Sequence, residues 1–281
     1  YHPHRRLDQF RQPTAQRAYR IAITWQPPST VVTNRRLANS GESPIMGRMA
    51  EWLYRDELAL AELNVARAAL QVARSIAYPA LDIPAYMANL YELSETAAAA
   101  ISTGLPVIEQ AERLSALLFV EQGFRGNTLA YYDPRKSYLN EVMDRRLGLP
   151  ITLSIVYLEV AERLGIPAYG IGLPGHFIVG VHSAQGDIWI DPFHGGHRVD
   201  LSDCADLIRM AAGYEGPLEA SWFAPLSGRD ILARLLSNLR SSYVQASSWS
   251  DAAAAIRLLR ETQPEVVEHL RDLGLVYYQQ R

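Results

Sequence analysis

The sequence predicts an α+β protein in which helical segments lie on either side of a small antiparallel sheet. Apolar residues recur at spacings of three and four over residues 52–123 and again toward the C-terminus, as in amphipathic helices. Between these regions, three short apolar runs are bounded by glycine or proline, which is typical of strands. The 281 residues, 48% of them hydrophobic, suffice for a sizeable core, and the length favours about two domains.

Composition and charge exclude several classes of protein. The 27 Lys and Arg against 30 Asp and Glu give a net charge of −3, which argues against nucleic-acid binding by phosphate neutralisation. Cys204 is the one cysteine, so no intrachain disulfide forms and a reducing setting is expected. No stretch reaches the ~18 apolar residues of a membrane span, and no secretory signal is recognisable. We expect a cytoplasmic protein without nucleic-acid or membrane partners.

The first 45 residues differ from the rest of the chain. They carry many arginines and several prolines without a clear period, and they begin with Tyr1 rather than methionine. We expect residues 1–45 to be a poorly structured or non-native leader, with Met46 or Met49 as the natural start.

A helical layer is predicted to follow this segment. Helical spacing of apolar residues runs over residues 52–73. A second helix is expected after Asp82, which is a plausible N-cap, with Pro84 in the first turn. A third helix is predicted over residues 105–123.

The middle of the chain predicts one central helix that leads into the sheet. A short helix over residues 137–147 is expected to stop at Gly148 in the left-handed conformation. Pro150 suits the first turn of the central helix, and Gly165 ends it. The three predicted strands cover residues 168–173, 176–182 and 188–191.

The last third of the sequence resembles a tetratricopeptide array. Tyr243, Ala252, Ile256 and Pro264 have the spacing of that repeat, and a second unit opens at Leu270 but stops before its second helix. The resemblance implies a peptide-binding surface and an array that continues beyond this sequence. A plain helical hairpin is the alternative interpretation.

The central helix and the two strands after it carry candidate catalytic residues. His176 begins the second predicted strand and Asp191 ends the third. A nucleophile at a helix start, followed by His and Asp on adjacent strands, is the order found in papain-like and transglutaminase-like folds. In that arrangement the helix N-terminus lowers the pKa of the thiol, His takes its proton, and the carboxylate orients the imidazole.

Several short motifs together resemble the SirB-type transglutaminase-like family, which joins such a core to C-terminal tetratricopeptide helices. Three of them are Gly-Leu-Pro-Ile-Thr-Leu-Ser at 148–154, Pro-Gly-His-Phe at 174–177 and Asp-Pro-Phe at 191–193. The others lie at residues 126–127, 131–134, 137–140 and 165–167. The resemblance implies a transglutaminase-like domain with a helical N-terminal layer over residues 46–225, and tetratricopeptide-like helices over 226–281.

The motif at residues 148–154 departs from active transglutaminase-like enzymes at one position. Their central helix opens with Gly, any residue, then Cys, whereas Pro150 occupies the cysteine position here. His176 and Asp191 match the other two catalytic positions. We therefore expect a cytosolic regulatory or scaffolding protein with a degenerate pocket that binds a protein or peptide, in preference to an enzyme. The residues expected to line this pocket are Asn140, Pro150, Tyr132 and Phe193.

Two other uses of the site remain open. A hydrolase or acyltransferase could employ the hydroxyl of Ser154 or Thr152 with His176 and Asp191, provided that a hydroxyl lies within hydrogen-bond reach of the imidazole. A metal site could draw on five candidate ligands, which are His176, His182, Asp191, His194 and His197. We expect neither metal nor cofactor, because six extended residues would separate His176 from His182 by ~20 Å. Cys204 is expected to be a small buried side chain.

Overall fold

A computed structural model describes residues 53–127 and 133–280. The predicted leader, Trp52, Tyr131 and Tyr132 lie outside these ranges. The N-terminal layer consists of α1 (Tyr54–Leu58), α2 (Val65–Ile76), α3 (Ile83–Ala100) and α4 (Val107–Ser115), which continues as the π-helical segment Ala116–Glu121.

The middle of the chain contains two small sheets around the central helix. The first part is β1 (Arg125–Gly126), a 3-10 turn (Pro134–Ser137), α5 (Leu139–Arg145), β2 (Leu147–Gly148) and the central helix α6 (Pro150–Arg163). The second part is β3 (Ala168–Ile171), β4 (Ile178–Val181), β5 (Ile188–Asp191), a 3-10 turn (Pro192–His194), β6 (His197–Val199) and α7 (Leu201–Ala212). Strands β3 to β6 pair in sequential antiparallel order, and β1 pairs with β2 in parallel.

Three helices end the chain after a 3-10 turn at Ala220–Phe223. They are α8 (Gly228–Gln245), α9 (Trp249–Thr262) and α10 (Glu268–Gln279). The mixture of helices with an antiparallel sheet confirms the predicted α+β class. No helix among the described residues is both long and apolar enough to cross a bilayer.

The central helix α6 is buried on nearly all sides. It packs against α3 and α8 and against strands β3 and β4. Pro150 is its first residue, as predicted, and the Thr152 side chain accepts a hydrogen bond from the backbone N–H of Leu149 at 2.9 Å. The helix ends before Gly165, whose φ of 72° requires the left-handed region that glycine tolerates. Local sequence signals therefore explain both ends of the helix that carries the site.

Several element boundaries differ from the prediction. The helical run over residues 52–73 is interrupted between α1 and α2, and a fourth strand, β6, joins the sheet. His176 lies in the turn that precedes β4 rather than in the strand, and its N–H donates to the Leu173 carbonyl at 3.2 Å. The apolar pattern extends beyond the strand because Phe177 is buried without belonging to the ladder.

The predicted stop at Gly148 was wrong, because Arg146 takes the left-handed conformation with φ 58°. Its guanidinium lies over the Phe124 ring at 4.3 Å, and its carbonyl accepts the N–H of Arg125 at 2.9 Å. Gly148 instead lies in β2 and pairs with Gly126 of β1. A Cβ on Gly148 would lie 2.8 Å from the Thr152 hydroxyl. The glycine is required by this close approach to α6 and not by a turn.

One hydrophobic core runs through the described residues from α1 to α10. Helix α8 packs on α2 and α6, and α9 packs on α2, so the C-terminal helices complete the same core as the N-terminal layer. A smaller cluster lies beneath α7 and includes the buried Cys204.

Candidate functional site

His176 and Asp191 meet at the end of strand β5. His176 Nε2 lies 2.9 Å from Asp191 Oδ2, and the two residues are only 6% and 1% exposed. The sheet explains the meeting, because the turn before β4 lies beside the end of its antiparallel neighbour β5. The other ring nitrogen, Nδ1, makes no hydrogen bond to the part of the chain that the structure describes.

His194 bonds to the same carboxylate oxygen as His176. Its Nδ1 lies 2.7 Å from Asp191 Oδ2, and its ring stacks on that of His176 with 5.7 Å between centroids. Asp191 Oδ1 accepts the backbone N–H of Phe193 at 2.9 Å and thereby caps the 3-10 turn that carries His194. His194 was one of the five metal-ligand candidates, but no local sequence pattern indicates that the chain turns back at this point.

The electrostatics of the group favour an ionised carboxylate. Burial by itself raises the pKa of Asp191, but hydrogen bonds from His176 and His194 and their charge outweigh burial and hold that pKa well below its usual range. The hydrogen bond to Asp191 raises the pKa of His194 above its ordinary value, although desolvation opposes this. The site is therefore an anionic centre flanked by two imidazoles.

Arg234 on α8 holds the turn that carries His176. Its Nη2 donates to the carbonyls of Leu173 at 2.7 Å and His176 at 3.0 Å, and its Nη1 donates to that of Gly172 at 3.3 Å. The sequence does not reveal this residue as part of the site, because one arginine in an amphipathic helix gives no local signal. Its role follows only from the packing of α8 against the site.

Phe193 lies between His176 and strand β1. Its ring meets the His176 ring edge-on at 6.0 Å. On its other side, a Cβ on Gly126 would lie 2.4 Å from the Phe193 carbonyl oxygen, so only glycine permits β1 to come this close. Gly126 therefore lies against the Phe193 side of the site.

The two candidate hydroxyl nucleophiles are both fully buried and bonded to backbone. Ser154 Oγ donates to the Pro150 carbonyl at 2.8 Å. Thr152 Oγ1 accepts from Leu149 N–H and lies 3.1 Å from the carbonyls of both Leu149 and Lys136. Neither hydroxyl bonds to the His176 ring.

The remaining candidates lie elsewhere or make no bond to the imidazole. Asn140 is buried in the first turn of α5, and its Oδ1 has no hydrogen-bond partner among the described residues. Tyr132 lies outside the described residues. His182 pairs with Asp187 at 3.1 Å on the β4–β5 hairpin, and His197 is exposed on β6, so neither joins the His176 group. Cys204 is buried, and burial raises its pKa to about 12.

Comparisons with known proteins identify a matching family and several relatives. The family model of the transglutaminase-like superfamily matches residues 84–237. A UPF0162 protein of Xylella fastidiosa (strain 9a5c) is 42% identical over 165 residues, which are 58% of this chain and 59% of that relative. UPF0162 protein YchA of Escherichia coli K12 is 28% identical over 210 residues, which are 72% of this chain and 74% of YchA.

The chain also aligns with a solved structure, and it spans only part of the Xylella relative. The crystal structure of menin aligns with a TM-score of 0.43 at 13% identity, covering 84% of this chain and 66% of menin. The chain spans 59% of the length of the Xylella relative. Because the family model covers more than half of the sequence and contains α6, His176 and Asp191, this chain belongs to the transglutaminase-like superfamily.

Proposed function

We propose that this protein is a cytosolic regulatory or scaffolding protein whose transglutaminase-like pocket binds a protein or peptide. The observation that carries the proposal is Pro150 at the start of α6. Proline supplies no side-chain nucleophile, and it also lacks the backbone N–H that could stabilise an oxyanion at this helix start. A retained His–Asp pair without either group is suited to recognition rather than to acyl transfer.

The positions of the hydroxyl groups support this proposal over the hydrolase alternative. Ser154 would have to leave its bond to the Pro150 carbonyl and a fully buried position before it could reach His176. Thr152 is engaged by the backbone at the start of the same helix. A nucleophile needs a hydrogen bond to its base, and neither side chain has one.

The C-terminal helices supply a second surface for a partner. Leu270, Leu275 and Tyr278 of α10 are each more than half exposed. The tetratricopeptide resemblance of this region supports peptide binding by the same helices, and exposed apolar side chains are common at protein interaction sites. One partner could contact the pocket, this surface or both, and variants of each region distinguish these cases.

The test is a pull-down from a lysate with the intact chain and two matched double variants. His176→Ala/Asp191→Ala removes the pocket pair, whereas His182→Ala/Asp187→Ala removes a partly exposed His–Asp pair of the same composition on the hairpin. We expect a partner to be captured by the wild type and the hairpin variant but lost from the pocket variant. Circular dichroism and thermal melting establish that each variant is folded.

A serine-directed activity probe tests the alternative on the same proteins. Labelling of the wild type that disappears in Ser154→Ala or Thr152→Ala would overturn the proposal in favour of a hydroxyl nucleophile. Unchanged capture by the pocket variant would move the interaction to α10, which Leu270→Ser and Tyr278→Ser then examine.

A further inference from the structure

Two nitrogen donors and one oxygen donor converge at the end of strand β5. His176 comes from the turn before β4, Asp191 from the end of β5 and His194 from the 3-10 turn after it. One ligand atom from each residue lies within 4.8 Å of those of the other two. His176 Nε2 and His194 Nδ1 both bond to Asp191 Oδ2. This is the one such group of three found among the described residues.

We propose that His176, Asp191 and His194 bind a divalent transition-metal ion, with zinc as the reference ion. Two imidazoles and one carboxylate are a ligand set that Zn²⁺ accepts, and Fe²⁺ accepts the same set. Three protein ligands leave one coordination position for water or for an oxygen of a bound molecule. The proposal goes beyond partner binding and does not depend on it.

The present distances need only a small opening to accommodate an ion. The two nitrogens lie 2.9 Å and 2.7 Å from the shared carboxylate oxygen. In a tetrahedral site with bonds of ~2.0 Å, ligand atoms are ~3.3 Å apart, so each of these two pairs would separate by roughly 0.5 Å. The ligand atoms of the two histidines already lie within 4.8 Å of each other. His194 can supply this movement, because its side chain is 51% exposed and belongs to a short turn. The same exposure provides a path for the ion.

The other contacts of the group hold the ligands in place from behind. Asp191 Oδ1 is occupied by the Phe193 N–H, which leaves Oδ2 directed toward the two imidazoles. Arg234 fixes the His176 backbone through the carbonyls of the turn. Such outer contacts orient ligands and raise metal affinity. Asp191 is thus oriented to bind an ion through Oδ2 alone.

The test is a titration of the intact chain with Co²⁺, which replaces Zn²⁺ in such sites and gives visible absorption bands. After treatment with EDTA, we expect the wild type to bind one equivalent with the bands of a nitrogen and oxygen site and to release it to added Zn²⁺. His194→Ala should bind at least ~100-fold more weakly, because loss of a ligand exceeds the effect of losing an outer contact. His197→Ala, an exposed histidine three residues away, is the control and should bind normally.

Two outcomes would overturn the metal proposal. One is the absence of saturable Co²⁺ or Zn²⁺ binding by folded wild type, and the other is equal affinity in His194→Ala. Because His194 is half exposed, its removal should leave the fold intact, which circular dichroism checks; Asp191→Asn provides a second variant of similar shape. Partner capture that persists in EDTA would leave the proposed function standing even if the metal site fails.

Discussion

Pro150 combines a favourable helix start with the absence of two groups that acyl transfer would need there. It begins α6, and proline is favoured in the first turn of a helix. It carries neither a side-chain nucleophile nor a backbone N–H. The His176 imidazole and the Asp191 carboxylate are hydrogen-bonded in a buried setting, whereas the hydroxyls of Ser154 and Thr152 bond to backbone groups.

A thiol placed at position 150 should be more reactive than an ordinary cysteine. In Pro150→Cys, the start of α6 and the His176 imidazole should lower the thiol pKa, so that iodoacetamide reacts roughly tenfold faster at neutral pH than with an ordinary cysteine. The control is Pro150→Cys/His176→Ala, which should react at the ordinary rate. Equal rates in the two proteins would show that the imidazole does not face residue 150.

The native cysteine should be inert in comparison. Burial raises the pKa of Cys204 to about 12, so the thiolate is scarce in the folded protein at neutral pH. We expect no reaction with a disulfide reagent in the native state and one equivalent in denaturant. Since the folded state favours the protonated thiol, its contribution to stability is full below the unfolded pKa of ~8.5 and declines as pH rises toward 12. Rapid labelling of the native protein would contradict this assignment.

At the scale of elements, helix α8 connects the sheet to the rest of the core. It carries Arg234, which holds the His176 turn, and Tyr243, whose hydroxyl bonds to the buried Tyr138 hydroxyl before α5. Burial and the Tyr243 hydrogen bond raise the pKa of Tyr138 far above its usual range. One helix therefore supports the site through polar contacts as well as through apolar packing.

Loss of Arg234 should loosen the His176 turn. Arg234→Met keeps the length of the side chain but removes its donors to three carbonyls, and we expect a loss of roughly 1.5–3 kcal/mol of unfolding free energy. Arg209→Met, which removes an exposed ion pair on α7, should cost less than ~1 kcal/mol. Urea unfolding measures both. An effect of Arg234→Met no larger than that of Arg209→Met would refute the positioning role.

The tyrosine pair should show coupling in a double-mutant cycle. Tyr243→Phe leaves the Tyr138 hydroxyl buried without its partner, which should cost about 1–3 kcal/mol. Once Tyr138→Phe is present, the second substitution should cost much less, because the unpaired polar group is then absent. Additive losses in urea unfolding would show that the two hydroxyls do not depend on each other.

At the scale of the whole molecule, the two ends of the described chain stabilise each other. The hydroxyls of Tyr54 on α1 and Thr262 on α9 are 2.6 Å apart. Arg229 on α8 donates to the carbonyls of Leu58 at 2.7 Å and Thr262 at 3.0 Å. The helical layer before the sheet and the helices after it therefore form one body, whatever function the C-terminal helices have by themselves.

Removal of residues 226–281 should consequently prevent cooperative folding. The truncation would expose apolar side chains of α2 and α6 that α8 and α9 cover, and each fully buried leucine or valine contributes about 1.5–3 kcal/mol. We expect binding of a hydrophobic dye and a broad thermal transition. Removal of residues 268–281 alone is the milder control. A sharp thermal transition of the protein that lacks residues 226–281 would instead support an independent domain over residues 46–225.

Local patterns in the chain account for the elements and for the order of the site residues. The Asp82 cap, Pro150 and Gly165 predict helix limits because capping and backbone preference act over a few residues. The helix, His, Asp order also indicates which residues belong together. By contrast, the left-handed turn at Arg146 and the return of His194 to Asp191 depend on contacts with side chains distant in sequence or on the course of a turn.

Arg234 is the clearest example of a contact between distant parts of the chain, since 58 positions separate it from His176 in the sequence. Periodicity identifies which face of a helix is buried, but it does not identify the carbonyls that this face will meet. Those partners are set only when α8 packs beside the His176 turn. The tertiary structure therefore decided how the site is held, because long-range packing, and not local preference, brings its supporting donors together.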